Sequence, residues 1–120
     1  MAELRRPPSI DAWGGGGFRV SGDWRPGSLL IIDDQPCAWS ATALAALTPD
    51  DFAEVFAAGG VVEFVLLGGW LLNALPPRDL RDALKAAGLG LEFMSTEAAA
   101  RTYNVLASEG RRLAAALIAV

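Results

Sequence analysis

The stretch Val61–Ser95, VVEFVLLGGWLLNALPPRDLRDALKAAGLGLEFMS, decides the fold. Its first part, VVEFVLLGG, is apolar throughout apart from Glu63 and is bounded by glycines on both sides. Continuous apolarity, rather than alternation, marks a central strand covered on both faces. LPPRDLRDALKAAGLG then carries the punctuation of a helix. Pro77 sits near its start and Gly88 at its C-terminus, and Leu80, Leu84 and Ala87 are spaced to form a core face. LGLEFMS returns to strand, alternating through Leu89, Leu91 and Phe93. Strand, helix and strand within this length predict a right-handed crossover between parallel strands. The class is α/β.

Beyond it, Ser95-Thr96 opens a further helix with Thr96 as its N-cap. Gly110 stops that helix, and Arg111-Arg112 complement its negative end. Glu97 and Arg101 stand four residues apart in the favourable order for a helical ion pair. Tyr103 lies one turn from Ala99 and from Leu106, which predicts a core ring, and Asn104 is placed to bond a neighbouring loop. The tail RLAAALIAV is alanine-rich, which favours helix. Its position after a short break instead suits a final strand whose small residues let helices pack closely.

Toward the N-terminus, LTPDDFAEVFAAGG predicts a helix. Thr48 is its N-cap, Pro49 its first residue, Asp50-Asp51 face the positive dipole end and Gly59 is the stop. Phe52, Val55 and Phe56 share one face. FRVSGDWRPGSLLII predicts two short strands around a turn, and a third strand is expected around Cys37 to Ala41. ATALAAL fits neither helix nor strand cleanly. Gly14 to Gly17 precede a strand, the reverse of the order a phosphate-cradling loop requires, and read as a lead-in loop. Residues 1–9 read as a flexible N-terminal arm and 10–120 as a single α/β domain.

Composition narrows the chemistry. A chain of 120 residues with 52% hydrophobic and 20% charged residues can bury a sizeable core. Fourteen acidic against ten basic residues give a net charge of −4, which argues against nucleic acid as a partner. No apolar run is long enough to span a bilayer, and no signal peptide is evident at the start, so a cytoplasmic location is expected. One cysteine, Cys37, permits no intrachain disulfide; it reads as a small buried residue. The chain contains no histidine. That removes His-based acid–base catalysis, Ser-His-Asp and Cys-His nucleophiles, and most zinc or iron sites. The pairs Asp33-Asp34 and Asp50-Asp51 read as a turn and a dipole partner. No catalytic set, metal site or cofactor is implied.

In order along the chain, GGGGFRVSG…GSLLII, LTPDDF, FVLLGGW, LPPRDLRDALKAAGLGLEFMST and RTYNVLASEGRRLAAALI resemble a small α/β family of unknown function. Its animal members include mitochondrial respiratory complex I assembly factor 3 and an adipogenesis-associated domain-containing protein. The resemblance runs from Ile10 to Ile118. It implies a three-layer fold around a mixed central sheet, with a β-hairpin-like N-terminal part and a final strand antiparallel to its neighbours. It implies no established enzymatic activity. What it does imply is an interaction or assembly module with a protein partner, linked to membrane or respiratory-complex biogenesis. The sequence departs from the family where relatives commonly have Gly-x-Gly and this chain has Gly68-Gly69-Trp70. It departs again where they commonly have Asp then Thr-Gly and this chain has Ser95-Thr96-Glu97.

Gly68-Gly69 and Ser95-Thr96 both fall at the C-terminal ends of parallel strands, where open α/β sheets hold ligands. Amides at the helix start, Arg101 and Asn104 would suit a small anionic ligand. The candidate set is therefore Gly68, Gly69, Ser95, Thr96, Arg101 and Asn104. The alternative to an assembly module is an anion binder or weak enzyme at this crevice. Trp24, Trp39 and Trp70 are the candidates for an exposed apolar anchor.

Overall fold

The computed structural model describes residues 6–70 and 74–120. Most of the expected arm, residues 1–5, lies outside the described residues. Ser9, at its end, already exchanges backbone and side-chain hydrogen bonds with Ser21.

The strand–helix–strand unit forms as its sequence dictates. Strand β6 (Phe64–Gly68) is buried along its whole length, helix α2 covers Arg78–Ala86, and β7 (Gly90–Met94) pairs with β6 in parallel. Leu80 and Leu84 anchor α2 in the core, whereas Ala87, expected beside them, is exposed beyond the helix end. Helix α3 (Thr96–Ser108) follows, and the alanine-rich tail becomes strand β8 (Leu113–Leu117), buried throughout. Helix propensity is overridden there because the segment slots between two strands whose ladders it completes.

The N-terminal half contains more strand than its sequence suggests. β1 (Ile10–Gly14), β2 (Gly17–Val20) and β3 (Asp23–Pro26) form a three-stranded antiparallel sheet of their own. Asp23 to Pro26, expected as turn, is a strand, and Trp13, expected before a lead-in loop, is already in β1. β4 (Ser28–Ile32) and β5 (Gln35–Trp39) make a hairpin that turns at Asp33-Asp34. The third predicted strand thus starts and ends two residues early.

The five-stranded sheet has the order β5-β4-β8-β6-β7. β8 is antiparallel to β4 and parallel to β6, so the expectation of a strand antiparallel to its neighbours holds on one side only. Alternating side chains then separate two cores. Leu30, Val65, Leu67, Ala114 and Ala116 face Phe52, Val55, Leu80 and Leu84. Leu29, Ile31, Leu66, Ala115 and Leu117 face α3 and the three-stranded sheet, meeting Ala99, Tyr103, Phe18 and Val20. The result is three layers, with helix alone on one side of the main sheet and helix plus small sheet on the other.

The segment after Thr48 is not one helix. A 3-10 turn at Pro49–Phe52 runs into a short α1 (Ala53–Ala57). Asp51 reaches back to the Thr48 backbone N–H at 2.9 Å, a capping-box contact. Trp39 is buried, edge-on to Phe52 at 5.4 Å, with its indole N–H donated to the Asp51 carbonyl at 2.9 Å. It belongs to the core and is not an exposed anchor.

Candidate functional site

The strand ends place Gly68, Gly69, Ser95 and Thr96 side by side. Ser95, not Thr96, is the N-cap of α3: its hydroxyl accepts the Ala98 N–H at 3.2 Å. Thr96 is the first helical residue and is fully buried. Its hydroxyl donates to the Ile118 carbonyl at 2.7 Å and accepts the Trp70 N–H at 2.8 Å. Its own N–H donates to the Trp70 carbonyl at 2.7 Å. One threonine therefore ties the end of β6 to the end of β8 and to the start of α3.

Gly68 is required by proximity. A Cβ there would stand 2.9 Å from Thr96 Cα and 2.9 Å from the Leu117 side chain. Gly69 is crowded by Leu44, 3.1 Å from where a Cβ would sit, and donates its N–H to the Met94 carbonyl at 2.9 Å. Trp70 has φ +83°, the left-handed region, at a cost of about 1–3 kcal/mol for a side chain of this bulk.

Arg101 and Asn104 lie farther along α3 and do not join the other four residues. Arg101 pairs with Glu97 at 3.2 Å, both exposed, and stacks over the Trp13 ring at 5.5 Å. The ion pair is the expected one, with a value of a few tenths of a kcal/mol at an exposed site. Asn104 accepts the Ile10 N–H and donates to the Ile10 carbonyl, each at 2.8 Å. It extends the ladder of β1 onto a helix side chain. Tyr103 is buried, as its spacing predicts. Arg111 and Arg112 pair with Glu63 at 3.4 Å and Asp33 at 2.9 Å, so they tie neighbouring loops rather than only finishing α3.

Two hollows meet at Trp70. A crevice of about 220 Å³ is lined by Trp13, Trp70, Ser95, Glu97 and Val120. On the other side, an apolar groove of about 440 Å³ is lined by Thr42, Ala43, Leu44, Ala45, Gly69, Trp70, Ala74 and Leu75. Among the described residues, none that lines that groove is charged. Trp70 is 50% exposed and Leu75 61%. Leu44 and Leu75 were not among the sequence candidates. The signal for Leu75 is the apolar content, WLLNAL, that continues past the glycines closing β6; Leu44 lies outside that run. A larger hollow of about 550 Å³ lies between α3 and β7, but its cation, Arg111, is held by Glu63 and the face of Phe64.

Cys37 is exposed, contrary to expectation: it shares a sheet face with Leu30 and Trp39, but β5 is the edge strand and its side chain is left uncovered there. Partial shielding of the sulfur, followed by the nearby Glu54 charge, pushes its pKa above the ordinary thiol value. That leaves less thiolate and a poorer nucleophile. None of the described helices is long and apolar enough to cross a membrane.

The three-layer α/β architecture, with its mixed sheet and separate small sheet, defines a recognised class of domain. The chain belongs to the family described as "Protein of unknown function (DUF498/DUF598)", whose model matches residues 10–118. It is 41% identical over 109 residues to an uncharacterised protein of Rhodobacter capsulatus, covering 91% of this chain and 82% of that one. It is 30% identical over 110 residues to the NADH dehydrogenase [ubiquinone] 1 alpha subcomplex assembly factor 3 of Bos taurus. That match covers 91% of this chain and spans 59% of the length of the factor. The crystal structure of an outer membrane protein from Bartonella henselae superposes with a TM-score of 0.88 at 36% identity, covering 95% of this chain and 96% of that one.

Proposed function

We propose that this protein is a non-enzymatic interaction module that serves the assembly of a membrane-bound respiratory complex. The observation that carries this is the apolar groove walled by Trp70, Leu44 and Leu75, with two large apolar side chains half or more exposed at one end of the main sheet. An exposed apolar surface of this kind is characteristic of protein contact sites. The assembly-factor relative in Bos taurus supports the class of partner, a subunit of an NADH dehydrogenase.

The alternative, a small anion at Ser95, Thr96 and Arg101, has less support. The Thr96 and Ala98 amides are engaged within the chain, and Arg101 is paired with Glu97. Site-specific photocrosslinking separates the readings. A photoreactive residue at Leu75 should label a discrete respiratory-complex subunit in cells, and one at Val105, exposed on α3, should not. Equal labelling from both positions, or none from Leu75, would remove the groove as the contact surface. A melting-temperature rise with phosphate that Arg101→Ala abolishes would favour the anion instead.

A further inference from the structure

The two sheets formed by the described residues have four edges, and three of these are guarded against a further strand. β5 carries Pro36, which has no N–H to offer. β3 ends in Pro26 and opens on the exposed, charged Asp23. β1 is interrupted by a bulge between Ile10 and Ala12, and Asn104 takes both backbone groups of Ile10. β7 has none of these devices. It contains no proline and no lysine, and its one charge is Glu92. The Met94 carbonyl accepts the Gly69 N–H on the β6 side. Backbone groups alternate along a strand, so those of Leu91 and Phe93 point away from β6. Among the described residues, β7 pairs with β6 alone.

The α3 face of this edge holds an opening and a group to fill it. Gly90 stands beside Phe64 in the β6–β7 register, and Glu92 beside Leu66. With no side chain, Gly90 leaves a low rim on the hollow of about 550 Å³ that it lines with Glu92, Thr102, Leu106 and Arg111. Behind that rim the Arg111 guanidinium lies 5.0 Å from the centre of the Phe64 ring and 3.4 Å from the Glu63 carboxylate. Glu92 is exposed and makes no ion pair among the described residues.

We propose that β7 is the contact surface of a homodimer, in which two copies pair antiparallel along β7 about a two-fold axis and join their main sheets into one. The groove at Trp70 lies at the other end of β6, so this dimer does not depend on the interaction reading above. A two-fold interface has to be complementary to itself. The outward groups of Leu91 and Phe93 allow three registers. Centring on Phe93 runs Leu91 into Ser95, which already caps α3. Setting Leu91 against Phe93 puts Glu92 directly opposite Glu92 of the other copy, a like-charge pair. Centring on Leu91 sets each Glu92 opposite Gly90 of the other copy, across whose low rim the carboxylate leads toward Arg111. Charge thus selects the register centred on Leu91. It also names a second copy as the occupant, because one edge carries both the acid and the opening that receives it. On the opposite face Leu91 and Phe93, half-buried against the α2 core, gain further apolar cover.

Sedimentation equilibrium of the full chain between about 10 μM and 1 mM, a range suited to a small interface, tests this, with thermal melting as the check of folding. The wild type should pass from monomer to dimer. Amide exchange at Leu91 and Phe93 should slow with concentration, while that at Ala38 on β5 stays constant. Glu92→Gln should weaken the dimer roughly fivefold, since two exposed ion pairs are lost per dimer. Glu92→Lys should weaken it by about tenfold or more, and adding Arg111→Glu should recover most of that loss by reversing the pair. Leu91→Pro removes an outward N–H and no ladder bond to β6, so it should stay folded and monomeric; if it melts out, Glu92→Lys and its rescue decide. A wild type that is monomeric throughout would overturn the proposal, as would a folded Leu91→Pro variant that still dimerises. A tighter dimer for Glu92→Gln would mean that the two carboxylates face each other, which overturns the register and the complementarity behind it. Concentration-dependent protection at β5 or at Trp70 in place of β7 would move the interface elsewhere. The Leu75 crosslink is read against other proteins, so the groove stands or falls separately.

Discussion

At the scale of single residues, the middle of α3 shows how polar side chains can be structural fasteners. Asn104 uses both ends of its amide on the backbone of Ile10, at 2.8 Å each, and so secures the first strand to a helix far away in sequence. Replacing it removes two bonds and strands a backbone donor and acceptor at a partly buried place. Asn104→Ala should cost about 2 kcal/mol in urea denaturation. Amide exchange at Ile10 should quicken more than at β4, because the loss is local to β1. Exchange that rises uniformly would show that β1 has no separate opening. The RTYN cluster mixes roles that spacing could resolve only in part. The helix period predicts the Glu97–Arg101 pair and the buried Tyr103, since both follow from local geometry. The cap is Ser95, where sequence points to Thr96. The choice between Ser95 and Thr96 depends on contacts with Trp70 and Ile118, which local sequence does not contain.

At the scale of elements, the small sheet depends on a carboxylate. Asp11 accepts the Ser9 hydroxyl at 2.6 Å and the Gly22 N–H at 2.8 Å, joining β1 to the β2–β3 turn. The Ser9 hydrogen bond, then that of Gly22, holds its pKa below the ordinary value of 3.8. A depressed folded-state pKa means a stabilising contribution that is present above the unfolded value. It is lost as pH falls through the folded one. Melting temperature should therefore decline as pH drops below about 4, and Asp11→Asn should lose that part of the decline. A variant with the same acid profile as the wild type would place the pH sensitivity elsewhere. Elements that carry their own punctuation were legible in sequence: β6, α2 and α3 are bounded by glycine, proline and capping residues. β1 and β3 were not. Their alternation is weak, and their pairing is supplied by β2 and by Asn104 rather than by apolar content.

At the scale of the molecule, two cores share one sheet, and the strand between them is nearly all alanine. Ala115 faces α3 and the small sheet, Ala114 and Ala116 face α1 and α2, and all three are completely buried. Small side chains there set the spacing of the layers. Ala115→Leu should destabilise by about 1–3 kcal/mol through overpacking. Line broadening in methyl spectra should be confined to the α3 side of the sheet. Broadening on both sides would mean that the two cores act as one. The groove at Trp70 was least legible of all. It is made where Leu44, from one part of the chain, meets Gly69 and Leu75, from another, and only the topology brings the two parts together.

The sheet order has a consequence for how the protein is made. β4 is synthesised early and β6 in the middle of the chain, yet they never touch as neighbours, because β8 lies between them. Until β8 is in place, the β4–β5 hairpin and the β6–α2–β7 unit have no ladder joining them. Both expose edges that β8 will later occupy. The protein therefore completes its fold only after its last strand has emerged. A stalled or shortened message would release two open half-sheets, each a template for pairing with another chain.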